Sequence, residues 1–208
     1  MPRVSQAHLD ARRRQILDAA RRCFVRNGFH ATSMQDVLAE ANLSAGAVYR
    51  YFRGKDEIIA AIAAEAVAEV VGALDTAFDP DDPPTLDAVL GAAFLAIHRV
   101  DAEQGFARLA LQVWGEAVRS PALAELIKGE IRRLRGALAR LVRAYQARGL
   151  MAADTPPEQV AQVLIGLLPG FVFQHALVGD VDPAGFRAGL RTLLTTRLAS
   201  PLPSAPAS

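Results

Sequence analysis

Three observations predict an all-α fold made of a short three-helix module followed by a larger helical body. Hydrophobic residues make up 51% of the 208-residue chain but aromatics only 6%, and Ala and Leu dominate; these residues give up little conformational freedom in a helix. The alternating Val, Ile, Thr and Tyr pattern of strands is missing. Strong breaks at Asn27-Gly28, at Gly54 and at Asp79 to Pro84 cut the chain into helix-sized pieces. The length suffices for a real core.

The first helix is expected over residues 9 to 27, where Ile16, Ala20, Cys23 and Phe24 recur at the three-and-four spacing of one face. Thr32-Ser33-Met34-Gln35 has the form of a capping box, with Thr32 as the hydroxyl and Gln35 reaching back. A short helix then runs to about Ala41, with Met34, Val37, Leu38 and Ala41 facing inward. Asn42-Leu43 turns the chain into Ser44, an N-cap for a brief third helix from Ala45 to about Tyr51 that Val48 and Phe52 anchor. A long Ala-rich helix is expected over 55 to 78, carrying Ile58, Ile59, Ile62, Val67 and Val70. After the DPDDPP break, helices are expected over about 85–101, 103–119, 122–148, 157–178 and 183–198. The Pro- and Ser-rich tail, 200–208, has little to bury and is expected to be disordered. This divides the chain into a module over 1–56, a body over 57–199 and the tail.

A net charge of +1 conceals an asymmetry. Residues 1 to 56 carry ten Lys/Arg against five Asp/Glu, a net of +5, and the remainder carries thirteen against seventeen, a net of −4. A basic module on an acidic body suggests a polyanionic partner for the module alone. Arg3 and Arg12-Arg13-Arg14 read as a basic arm able to follow a nucleic-acid backbone or enter a minor groove. Cys23 is the only cysteine, which excludes an intramolecular disulfide and a cysteine-rich metal site and suits a reducing compartment. The polar, basic start lacks the apolar stretch of a secretory signal, so a cytoplasmic location without membrane attachment is expected. Residues 159 to 179 are uncharged and long enough to span a bilayer. Gln162, Gln174, His175 and Pro169-Gly170 argue instead for a surface buried between helices or subunits.

Two short helices separated by a tight turn are the parts of a helix-turn-helix that sets its second helix in the major groove. With Val48 inward, helical rotation puts Gly46 and Arg50 on the opposite face, Ala47 and Tyr49 on the flanks and Tyr51 near the inner edge. Gly46 and Ala47 allow close approach to base edges, Arg50 can reach a guanine or a phosphate, and tyrosine hydroxyls suit phosphate oxygens. The run SMQDVLAEANLSAGAVYRYFRGKDEII, from Ser33 to Ile59, resembles the DNA-binding signature of the TetR family of transcriptional regulators. With the preceding AARRCFVRNGFHATS, the resemblance covers about residues 12 to 59. It implies phosphate contacts from Thr32, Ser33, Tyr49, Tyr51 and Lys55, with Ala45, Ala47 and Arg50 at base-reading or adjacent positions; Ser44 and Gly46 complete the DNA-binding set. Because Ala45, Gly46 and Ala47 offer little hydrogen-bonding readout, operator choice is expected to rest on Arg50, thymine methyl contacts, DNA shape and the arm.

The resemblance also implies a homodimer formed by the last two long helices, a palindromic double-stranded operator, and a cavity for a small, mostly hydrophobic effector that relieves repression. Phe94, His98, Trp114, Phe171 and His175 are the candidate ligand-binding residues. The competing reading keeps the module but makes the protein an architectural or activating regulator with no effector. No enzyme constellation is found: Ser44-Ala45-Gly46 only half matches a nucleophile elbow, there is no phosphate-binding loop, and the four histidines form no metal pattern. No cofactor or metal is expected.

Overall fold

The computed structural model describes residues 6–196, and among them the regular structure is helical with no strand. In chain order the helices are α1 (Gln6–Asn27), α2 (Met34–Ala41), α3 (Ala45–Tyr49), α4 (Lys55–Ala77), α5 (Leu86–Gln104), α6 (Phe106–Ala117), α7 (Pro121–Ala147), α8 (Pro157–Leu177) and α9 (Pro183–Thr195). Arg3 and the tail from Ser200 lie outside the described residues.

The predicted breaks end helices where backbone geometry demands it. Gly28, at φ 82°, and Asn42, at φ 52°, adopt the left-handed conformation that only residues of low steric cost take readily. Asn42 caps α2, its N–H donating back to Ala39 and Leu38 carbonyls. The α2 capping box is displaced by one residue from the expected Thr32 and Gln35. Ser33 is the N-cap: its Oγ accepts the Asp36 N–H, and Asp36 Oδ2 accepts the Ser33 N–H at 2.7 Å. These bonds from Ser33 hold the Asp36 carboxyl below its usual range. Ser44 caps α3 as expected, accepting the Ala47 N–H.

Two cores form. Ile16, Leu17, Ala20 and Phe24 of α1 meet Val37, Val48, Phe52, and Ile58, Ile59 and Ile62 of α4. This first core does not close within the module, because Leu109 and Val113 of α6 and Leu123 and Ile127 of α7 belong to it. The second core, from α4, α5, α6, α7, α8 and α9, surrounds Val89, Leu90, Phe94, Leu138, Val142 and Phe171. Here Phe94, Phe171 and Phe186 pack with ring centroids 4.8–5.4 Å apart. Arg187 of α9 pairs with the buried Asp87 of α5 at 3.0 Å, tying the last helix to the body.

Polar contacts join module to body. Gln112 of α6 accepts the Phe29 N–H at 2.7 Å, and its side chain lies against Gly28. A Cβ at Gly28 would lie 3.2 Å from Gln112 Oε1, whereas at Gly149, φ 70°, it would meet nothing within 4 Å. Gly28→Ala should therefore combine backbone strain with crowding and cost about 1 kcal/mol or more. Gly149→Ala should carry strain alone. Thermal denaturation checks the order, with a drop of roughly 2–4 °C in Tm per kcal/mol expected for a chain of this size.

Candidate nucleic-acid interface and cavity

The short α3 exists because the Ser44 cap fixes its start, while Val48 and Phe52, four residues apart, are buried and fix its rotation. That rotation leaves Ala45, Gly46, Tyr49 and Arg50 exposed and Ala47 half-buried, so they form one outward face. No atom lies within 4 Å of the position a Gly46 Cβ would take, so the surface above it is open. Tyr49 is 48% exposed. Ser33, at the start of α2, is exposed, whereas Tyr51 is half-buried and packs on the first core.

The polar side-chain atoms of Thr32 and Lys55, expected at phosphates, have partners within the fold. Thr32 is buried, its hydroxyl within hydrogen-bond distance of the Gly28 carbonyl at 2.8 Å and the Cys23 carbonyl at 3.2 Å. The Lys55 ammonium donates to the carbonyls of Phe29 at 2.7 Å and Thr32 at 2.9 Å, and lies 4.5 Å from the Phe29 ring centroid. Both residues shape the loop between α1 and α2. Their inward turn is a tertiary property that motif spacing does not carry.

The arginines of α1 divide similarly. Arg13 pairs with Glu65 of α4 at 3.0 Å and sits over the Phe52 ring, and Arg21 pairs with Glu65 as well, so these two hold α1 on α4. Arg22 and Arg26 both donate to Glu40 of α2, whose carboxyl is held below its usual range by those bonds. Arg14, Arg50 and Arg53 are exposed, and Arg12 is half-buried. Cys23 is buried between α1 and α2, and burial raises its thiol pKa.

Behind the module lies an apolar cavity of about 390 Å³, where α4, α5, α6, α7 and α8 converge. Among the candidate ligand residues only Trp114 lines it. Phe94 and Phe171 are fully buried in the second core. His175 stacks on Phe171, with ring nitrogens 3.2 Å from the Val181 carbonyl oxygen and 3.0 Å from Asp101 Oδ2. His98 packs edge-on against His175, and its Nδ1 is buried without a hydrogen-bond partner. These four form a separate cluster at the α5, α8 and α9 contact.

The cavity wall includes residues the sequence reading did not select. Ile59, Ile62, Leu109, Val113 and Ile127 face the cavity and also belong to the first core. Glu130 is the only charged side chain in the wall. Its sequence signal is a carboxylate on an otherwise apolar α7 stripe. Gln112 was also missed, since its partner lies 83 residues away.

Comparison with known proteins agrees with this arrangement. Residues 16–62 match the family described as bacterial regulatory proteins, tetR family, and residues 86–199 match the BetI-type transcriptional repressor C-terminal domain. An HTH-type transcriptional repressor of Mycobacterium tuberculosis is 46% identical over 65 residues, 31% of this chain and 35% of that protein. The HTH-type transcriptional regulator UidR of Escherichia coli is 24% identical over 190 residues, 91% of this chain and 94% of its own length. The structure of Salmonella enterica GusR aligns with a TM-score of 0.75 at 28% identity, covering 93% of this chain and 97% of that one. FadR of Bacillus subtilis, solved in complex with stearoyl-CoA, shares the fold with a TM-score of 0.71 at 17% identity, over 88% and 97% of the two chains. With more than half its length matched by the C-terminal repressor domain and the exposed α3 face set by the N-terminal one, the chain belongs to the tetR family of helix-turn-helix transcriptional regulators.

Proposed function

We propose that this regulator is a cytoplasmic, homodimeric repressor that holds a palindromic operator until a small, mostly hydrophobic effector enters the cavity behind the module. The observation carrying this reading is the shared wall: Ile59, Ile62, Leu109, Val113 and Ile127 line the cavity and pack into the first core. A close-packed interior transmits displacement, so an occupant pressing on these side chains acts directly on the packing beneath α1 and α3. Gln112 gives the same motion a second route, through its bond to Phe29. Release follows when the effector favours the dimer whose recognition helices no longer match the half-site spacing, roughly 34 Å or a multiple of it.

Tyr49 and Arg50 are the side chains placed to contact DNA, supported by Ser33 and by the close approach that Ala45, Gly46 and Ala47 allow. The N–H groups at the α2 and α3 starts, beside Ser33 and Ser44, suit phosphates. Thr32, Tyr51 and Lys55 act by holding the loop and helix in place. Dimerisation is supported by apolar side chains left in water: Val163 is 71%, Phe173 52% and Leu177 62% exposed on α8, and Leu193 is 75% exposed on α9. Among the described residues α8 alone is long and apolar enough to cross a membrane. A subunit interface accounts for that composition.

Gel-shift titration against the DNA upstream of its own gene, with competitor DNA at stated salt, tests operator binding. A specific shift at a palindrome is expected, with Tyr49→Ala and Arg50→Ala each weakening it by about tenfold or more. Equal loss on all DNA for Arg50→Ala would mark that residue as a phosphate contact. In the same assay Ala63→Phe, which fills the cavity, should keep the operator shift and abolish release by any effector that releases the wild type. A full release response in that variant would sink the cavity reading. The double variant Val163→Asp, Leu193→Asp should sediment as a folded monomer and lose operator affinity by about a hundredfold, the loss expected when two linked sites become independent.

A further inference from the structure

Glu130 breaks a pattern. The inward face of α7 runs Leu123, Ile127, Glu130, Leu134, Leu138, Leu141 and Tyr145, at three-and-four spacing, and its other members are hydrophobic or aromatic. A carboxylate at such a position is costly unless something satisfies it. Glu130 Oε2 is shielded from solvent and has no hydrogen-bond partner. Arg133 Nη1 forms an ion pair with that oxygen at 3.6 Å from a half-exposed side chain, and the Glu130 side chain as a whole is 23% exposed. Arg135 also has a buried, unpartnered Nε, but it does not line the cavity. The rest of the wall is apolar except for the Trp114 indole, and an aromatic ring together with one carboxylate in an apolar wall is a combination that can hold an ammonium group.

We propose that the cavity takes an amphipathic cation, an apolar body carrying one amine or quaternary ammonium, and that Glu130 supplies the counter-charge. An anionic amphiphile of the same body would bring its charge toward the one carboxylate of the wall, whose counter-charge is the half-exposed Arg133. Glu130 thus sets effector specificity. This inference rests on the cavity being the effector site.

Trp114 is the only tryptophan, so its fluorescence reports occupancy of the cavity directly. The probes are decyltrimethylammonium, decanol and decanoate, which share one chain and differ in charge, titrated below their micellar concentrations into the full-length protein. The expected result is that the ammonium binds about tenfold or more tightly than either of the others. Glu130→Gln should erase that preference while leaving decanol affinity unchanged. Glu130→Leu, which completes the apolar stripe, should fold with a raised Tm and show the same loss of preference.

If decanol or decanoate binds as well as the ammonium, or the preference survives both substitutions, the assignment of charge is overturned while the cavity stands as a binding site. If none of the three perturbs Trp114 fluorescence, the cavity reading and this inference fall together.

Discussion

The structure turns on α6, which packs into both cores. Leu109 and Val113 complete the core of the DNA-binding module, while Ala107 and Ala110 belong to the core of the body. Buried packing of this kind contributes roughly 25 cal/mol per Å² of apolar surface, so neither core can lose α6 without a large loss of stability. Both ends of the helix are fixed as well. Asp101 Oδ1 accepts the Ala107 N–H at 2.7 Å, capping the start, and Glu116 lies 3.4 Å from His30 near the end. Between them Gln112 holds the Phe29 amide. Residue 56 is thus a boundary in charge and motif, while the packing runs on through it.

That continuity explains the division of labour among polar residues in the module. A three-helix unit this small buries little by itself. Its arginines and its lysine therefore do structural work: Arg13 and Arg21 on Glu65, Arg22 and Arg26 on Glu40, Lys55 on the loop carbonyls. Part of the positive charge that looked available to DNA is thus engaged within the fold. Arg14, Arg22, Arg26, Arg50 and Arg53 stay exposed.

Much of the fold was legible because its signals are local. Asn27-Gly28 and Asp79 to Pro84 punctuate the chain whatever surrounds them, and the spacing of Val48 and Phe52 settles which side of α3 looks outward. The α2 cap was read one residue early because Thr32-Gln35 and Ser33-Asp36 have the same spacing, and only the backbone path separates them. The bonds that Thr32 and Lys55 make to loop carbonyls were not legible, because they depend on the folded path of the loop. The ligand residues were the least legible part. Phe94 and Phe171, candidate ligand-binding residues, are buried in the second core, since large aromatics at helical spacing serve either purpose. The cavity exists where five helices fail to close, which no single stripe records.

Cys23 carries one further consequence. It is fully buried between α1 and α2, with Sγ 3.7 Å from the Asp36 carbonyl oxygen, and no other cysteine exists in the chain. A reagent can reach that thiol only after the two helices part. The rate at which it is trapped therefore measures local opening of the module, separately from global unfolding. The protein has a built-in clock for how often its reading head comes undone.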